Sequence, residues 1–318
     1  MAPVHENLDH LTAALGITLA EQLDIAFKTN EPSMMREFFN WQTTRLLSHG
    51  YSTEDIQSYF ADLRDSVIRD MQGELRKKAL AFFDRALKTT KSEILPTATE
   101  FLDNKLAKEY TNFLLNGNRQ EALNLILSAV EKGMPVQEIY LSVFQTSLYE
   151  IGRLWQINEI SIAQEHFFTA ATQMIMSQLY PFIFSVERNG HKMVAASVDS
   201  NMHDIGIRMI VDFFEMNGWD TYYLGANTPH QAILEAVQSY SPDLVAISAT
   251  ISRQVPQVAQ AIVKIKSLPG RKKIRVIVGG APFNAAPQLW KQINADGFAA
   301  SADGAVELAN QLMQKTGK

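Results

Sequence analysis

Near residue 190 the apolar pattern of this chain changes period. Beyond it, five short apolar runs, Met193 to Val198, Thr221 to Leu224, Leu244 to Ser248, Ile274 to Val278 and Gly297 to Ala299, alternate with helical stretches near Ile205, His230, Val255, Pro287 and Ala305. Strand and helix units repeated in this way pair as a parallel sheet with helices on both faces, a doubly wound α/β arrangement. Between the first run and the first helix stands Asn201-Met202-His203-Asp204-Ile205-Gly206. It puts an imidazole and a glycine on a strand-to-helix crossover, where open α/β sheets hold ligands.

The residues before the change are helical throughout. From Leu8 to about Lys91, Pro32-Ser33 opens one helix and Gly50 closes it. Ser52-Thr53-Glu54-Asp55 caps the next, whose one face carries Ile56, Tyr59, Phe60, Leu63, Val67 and Ile68. Pro96 lies in the break from Lys91 to Thr99. Four further helices follow, Leu102 to Leu115, Gln120 to Glu131, Val136 to Leu154 and Ser161 to about Tyr180, with turn chemistry at Asn116-Gly117-Asn118 and Gly133-Met134-Pro135. Short connections between four helices predict a bundle. The polar stretch Glu187 to Lys192 ends it. The expected division is therefore an all-α unit over 1–95, a helical bundle over 100–186 and an α/β domain over 190–318, and two or three domains suit 318 residues.

The chain contains no cysteine, which removes disulfides, thiolate metal sites and cysteine nucleophiles together, so a transition metal must be held by nitrogen or oxygen. A formal net charge of -5 gives no basic signature, and direct nucleic-acid binding is not evident. No apolar run reaches membrane-spanning length, and Met1-Ala2-Pro3-Val4-His5-Glu6 lacks a basic start and an apolar segment, so the expected location is cytoplasmic with no membrane partner.

Taken singly, each residue of the crossover has an ordinary explanation. His203 can be a polar loop residue, and Gly206 can serve tight packing of helix on sheet as well as close approach to a ligand. Ser248 and Thr250 can serve local turns, and Gly279-Gly280 before Ala281-Pro282 can be a simple turn. Together, His203 with Gly206, Ser248-Ala249-Thr250 and Gly279-Gly280 resemble the cobalamin-binding domain, whose pattern is Asp-x-His-x-x-Gly, then Ser-x-Leu or Ser-x-Thr, then Gly-Gly. The resemblance covers about Met193 to Leu312. It implies a five-stranded flavodoxin- or Rossmann-like domain and a cobalamin cofactor, with His203 replacing the cofactor's benzimidazole as lower axial ligand to cobalt. Met202, Asp204, Ile205 and Gly206 would then flank the ligand, and Ser248, Thr250, Gly279 and Gly280 would line the slot for the nucleotide tail.

At position 201 the family's aspartate is replaced by Asn201. A carboxylate partner orients a metal-bound histidine and raises its basicity, and losing one typically costs ~10 to 100-fold in affinity or activity. Asn201 is expected to accept the imidazole N–H through its carbonyl oxygen, leaving His203 a weaker donor. Asn201→Asp is expected to tighten cobalamin binding.

The bundle carries Trp155, nine further residues, then Glu165-His166, with Ser161 to Gln164 reading as a capping box. Glu165 at a helix start offsets the macrodipole, and Trp155 can close the bundle core. The spacing also resembles the helical cap of cobalamin-dependent photoreceptors and related sensors. That resemblance implies that Trp155 and His166 flank the upper ligand, with Ile162 on a nearby face, and that Glu165 binds the ribose of adenosylcobalamin. Gln156 departs from the histidine that some light-dependent members carry beside the tryptophan.

These resemblances imply a cytoplasmic adenosylcobalamin-binding sensory regulator, light-responsive and not an enzyme, in which cobalt–carbon cleavage repacks the domains for signal transduction and transcription regulation. The alternative is a corrinoid carrier of a methyltransferase system, cycling methylcobalamin. A third reading is an interaction module that has lost its cofactor. No winged-helix pattern is seen before the bundle; Phe38, Phe39, Trp41, Tyr59 and Phe60 form either that unit's own core or a surface for self-association or a protein partner.

Overall fold

A computed structural model describes residues 6–88, 98–184, 186–268 and 274–314. The expected break from Lys91 to Thr99 falls almost wholly outside them. Four helices come first, Glu6–Thr29, Ser33–Ser48, Thr53–Val67 and Gly73–Lys88. Ser52 and Asp55 cap the third reciprocally, as the sequence predicts. Leu19, Leu23, Phe39, Phe60 and Phe83 form the core of this unit, with Phe38 and Tyr59 packed against it. Four of the five aromatic residues singled out in the sequence are therefore spent inside, leaving Trp41 as the one directed elsewhere.

The bundle consists of Lys105–Leu115, Arg119–Glu131, a helix running from Val136 to Gln156, and Ile162–Gln178, preceded and followed by the short helices Thr99–Asp103 and Tyr180–Ile183. Asn104 accepts from Ala107 N at 2.9 Å to start the first, and Ser161 and Gln164 form the expected box at the start of the last. The third is not uniform: Ile139–Gln145 is wound as a π-helix. Such bulges commonly mark positions where side-chain placement matters more than regular bonding.

The α/β domain has strands β1 Lys192–Ser197, β2 Asp220–Tyr223, β3 Leu244–Ser248, β4 Arg275–Gly279 and β5 Gly297–Phe298, all parallel in the order β2-β1-β3-β4-β5. This is the flavodoxin-like order, whose switch point lies between β1 and β3. The strands read as unbroken apolar runs because both faces are covered. Met193, Ala195, Leu244 and Ala246 meet the helices Ile205–Glu215 and Ala302–Gln314, with the bundle beyond. Val194, Ala196, Val245 and Ile247 meet His230–Tyr240 and Val255–Lys266. The single helix expected near Pro287 is instead two short ones, Ala281–Ala285 and Leu289–Gln292. Pro287 lies between them, and its missing N–H and its ring oppose an uninterrupted helix there.

The bundle docks on the helix Ile205–Glu215 through a buried polar set. Tyr140, from the π-helix, donates to Asp212 Oδ2 at 2.7 Å, while Arg208 donates to Ser177 Oγ at 2.7 Å and to Tyr180 Oη at 3.2 Å. Asp212 is 1% exposed, and burial pushes its carboxyl from 3.8 up to about 6, against the hydrogen bond from Tyr140 and the Arg208 charge, which pull it down.

The folded chain thus holds a proton on Asp212 that the unfolded chain has released between pH 4 and 6, so this group's contribution to stability falls as pH rises through that window. At about 1.4 kcal/mol per tenfold displacement of a proton equilibrium, the loss is on the order of 3 kcal/mol. Asp212→Asn keeps an acceptor for Tyr140 and is expected to lack that pH-dependent loss. Urea midpoints of both proteins at pH 4 and pH 7 check this. Gly280 is a second sensitive point, since its φ is +101° and a Cβ there would lie 1.9 Å from Ala249 O. Gly280→Ala is expected to lower stability by about 3 kcal/mol or more, measured by the same urea titration.

Candidate functional site

The parallel register aligns Ser197, Ser248 and Gly279 in one row across the carboxyl ends of β1, β3 and β4. The crossover after β1 rises from this row. Its fixed point is Asn201, 1% exposed, whose Oδ1 accepts from the backbone N–H of His203 at 3.1 Å and whose Nδ2 donates to Ser248 O at 3.4 Å. Ser197 Oγ donates to His203 O at 2.8 Å. Three hydrogen bonds therefore set the His203 backbone relative to the sheet. The oxygen of Asn201 that was expected to accept the imidazole N–H takes the main-chain N–H instead, because the amide lies under the loop rather than beside the ring.

The loop after β3 is tied to the same crossover by Gln254, which is 2% exposed. Its Oε1 accepts from Thr250 N at 2.8 Å and Ile251 N at 3.1 Å, and its Nε2 donates to Ser200 O at 2.9 Å. Asp204 accepts from Gln173 Nε2 of the bundle at 2.9 Å and from Tyr223 Oη of β2 at 2.7 Å. Asp204 therefore locks the bundle to the sheet next to His203. Met202 is 72% exposed. Ile205 and Gly206 open the helix that follows, and a Cβ on Gly206 would meet nothing within 4 Å. Tight packing does not account for that glycine; space above it does. Gly279 and Gly280 differ: an added Cβ would meet Ala299 O at 3.2 Å and Ala249 O at 1.9 Å. The fold itself requires glycine at 280, while at 279 a side chain would be tight against Ala299 O.

Above His203 is a cavity of about 620 Å³, within the ~300–1,000 Å³ usual for small-molecule sites. It is lined by His203, Trp155, Ile162, Glu165 and His166, together with Tyr149, Glu150, Gly152, Arg153, Gln156, Ala98 and Trp41. Five residues that the sequence places in two separate motifs thus share one wall-to-wall space. His166 Nδ1 is 2.6 Å from Glu165 Oε2, and because a carboxylate only accepts, Nδ1 carries a proton. Glu165 Oε1 also accepts from Thr169 Oγ1 at 3.0 Å. Arg153 forms a two-bond pair with Glu150 at 2.7 and 2.8 Å, setting a compensated charge pair in the wall. Trp155 and Ile162 are 40% and 56% exposed, so apolar surface is presented to the space rather than buried in the bundle.

Ser248, Thr250, Gly279 and Gly280 lie along the sheet edge and do not line this cavity. The sequence reading missed Ser197, Gln254 and Gln173, and it named Trp41 only for the core or a partner surface of the N-terminal unit, not for this cavity. A serine at a strand end is a weak signal for the first, and nothing local marks the others, whose partners are far away in sequence.

Among the described residues no group of three or more His, Asp or Glu side chains could hold a metal ion. A single imidazole beneath a largely apolar space does suit a metal that arrives inside its own macrocycle, needing one protein donor. Comparison with known proteins agrees. Residues 191–309 match the B12 binding domain family, and residues 106–180 match a second B12 binding domain family. A corrinoid protein of Desulfitobacterium hafniense (strain Y51) is 25% identical over 215 residues, 66% of this chain and 98% of its own length. Dimethylamine corrinoid protein 1 of Methanosarcina acetivorans is 26% identical over 197 residues, 59% of this chain and 90% of that protein. The solved monomethylamine corrinoid protein of Methanosarcina barkeri shares the fold, with a TM-score of 0.56 at 19% identity over 66% of this chain and 98% of that one.

These relatives are corrinoid proteins, which overturns the expectation of a light-responsive sensory regulator and favours the alternative, a corrinoid carrier. Photoreception and transcription regulation find no support among them. No described helix is long and apolar enough to cross a membrane. With B12 binding domains over residues 106–180 and 191–309, this chain is a cobalamin-binding protein.

Proposed function

We propose that the chain is a corrinoid carrier of a methyltransferase system, holding cobalamin between the bundle and the sheet and presenting it in turn to a methyl donor and a methyl acceptor. The common cavity lined by His203, Trp155, Glu165 and His166 supports cobalamin held at this place, and the carrier role is supported by the relatives. Corrinoid proteins, two of them named for methylamines, are the relatives found over nearly their whole lengths. Bound there, the cofactor's cobalt supplies a centre that takes up and gives up a methyl group. The chain's residues do the rest.

In this reading His203 would be the protein's ligand to the cobalt, its imidazole aimed by the Asn201 and Ser197 hydrogen bonds to its own backbone. Met202, Asp204, Ile205 and Gly206 flank it, with Gly206 giving the macrocycle room. Trp155, Ile162 and His166 cover the opposite face, and Glu165 accepts from His166 Nδ1. The tail lies along the edge formed by Ser248, Thr250, Gly279 and Gly280. The division into units over 1–95, 100–186 and 190–318 follows the same assignment. Methylcobalamin is the working form, since the case for adenosylcobalamin came from the photoreceptor resemblance alone. The external partners are methyltransferase proteins.

Full-length protein reconstituted with methylcobalamin and desalted is expected to keep a corrinoid spectrum shifted from that of the free cofactor. His203→Ala is expected to lose the shift and to weaken retention at least 10-fold. An unshifted spectrum in the unmutated chain, or equal retention by the variant, sinks the assignment. Asn201→Asp is expected to behave opposite to the sequence-based expectation. It sets a carboxylate oxygen against Ser248 O, where an amide N–H now donates, at a site 1% exposed. Loss of that bond and the repulsion should lower apo-protein stability by about 1–3 kcal/mol and leave cobalamin affinity no tighter, read by urea titration and cofactor titration.

A further inference from the structure

Neither B12 binding domain match reaches the four N-terminal helices, and a corrinoid protein is matched over 98% of its length by 66% of this chain. Yet these helices contribute to the cavity. In Ser33–Ser48 the neighbours Phe39, Gln42, Thr43 and Thr44 are buried, while Trp41 turns outward and is 38% exposed. Its ring stands 6.3 Å from that of Trp155 at 49°, and its carbonyl oxygen accepts from Gln156 Nε2 at 3.1 Å. The same helices hold the α/β domain: Ile25 and Met34 enter its apolar cluster, and Gln292 Nε2 donates to Glu31 Oε1 at 3.5 Å. The N-terminal unit therefore spans bundle and sheet at the mouth of the space above His203.

We propose that this unit is a third wall of the cofactor site, with Trp41 a specificity-determining residue that covers the face of the corrin opposite His203, so that ligand exchange at that face requires the unit to lift away. The inference rests on the carrier reading, in which His203 lies beneath the cobalt. A methyl donor or acceptor must come within bonding distance of the metal, and an indole packed against Trp155 stands in that approach. Among the described residues the fastening includes the Gln156 hydrogen bond and the Trp41–Trp155 pair to the bundle, the Gln292–Glu31 contact, the apolar side chains Ile25 and Met34, and packing of Glu6–Thr29 on Ser252–Gln254 and of Ser33–Ser48 on Ala281–Ala285. Interfaces of that kind within a chain open readily. Gln156 gains a role here that its place beside Trp155 does not suggest, since it pins the wall rather than ligating the metal.

The test is the rate at which cyanide replaces water on aquacobalamin bound to the full-length protein, followed by absorbance. Trp41→Ala is expected to speed replacement at least 10-fold, and Trp41→Phe less. The chain has no cysteine, so Glu31→Cys with Gln292→Cys provides a unique pair for a bismaleimide cross-link, expected to slow replacement at least 10-fold relative to the unlinked double variant. Equal rates for the unmutated protein and Trp41→Ala, or for linked and unlinked protein, overturn the proposal while leaving the carrier reading intact. An unmutated protein that retains no corrinoid overturns both.

Discussion

Everything at the site depends on the divergence of the chain between β1 and β3. Connections leave those two parallel strands to opposite faces of the sheet, so a crevice opens at their carboxyl ends that no side chain of the sheet itself fills. Asn201 and Gln254 convert this crevice into a defined surface. Both are buried amides, and each uses its donor and its acceptor to join the β1 crossover to the end of β3 or its loop. An amide suits this place because it donates and accepts at once. A carboxylate at neutral pH can only accept.

The bundle is placed over that surface by contacts of a different sort. Asp204, at the N-cap of the helix after β1, and Asp212, about two turns further along it, take hydrogen bonds from Gln173 and Tyr140 of the bundle. The π-helix sets Tyr140 at the point where its hydroxyl reaches a carboxylate in an apolar seam. A polar contact in such surroundings fixes registration more than it adds stability. Orientation is what a cofactor held between two domains needs, because its two faces are served by different segments.

The mistaken sensor reading has a physical explanation. Trp155 and Glu165-His166 bracket a helix end and a helix start, and the bundle geometry brings them to one cavity whether the upper ligand is a large nucleoside or a small methyl group. On the carrier reading the motif would cover a corrin face whatever is carried there. The structure brings Trp41 to the same cavity, from a part of the chain in which the sequence shows only aromatic residues at helical spacing.

Much was legible in the sequence because it is local. Apolar runs of strand length and helical periodicity fixed the parallel α/β class and the positions of β1 to β5 within a residue or so, and Ser52 and Ser161 announced their helices through boxes complete within four residues. His203 stood out only together with Gly206, Ser248-Ala249-Thr250 and Gly279-Gly280, through the family resemblance that the three motifs carry in order. Tertiary structure alone decided what Asn201 binds, why Gly280 must lack a side chain, and that Trp41 meets Trp155. Those facts depend on atoms brought together from distant segments, and linear spacing carries no information about which carbonyl or ring will stand opposite a given side chain once the layers pack.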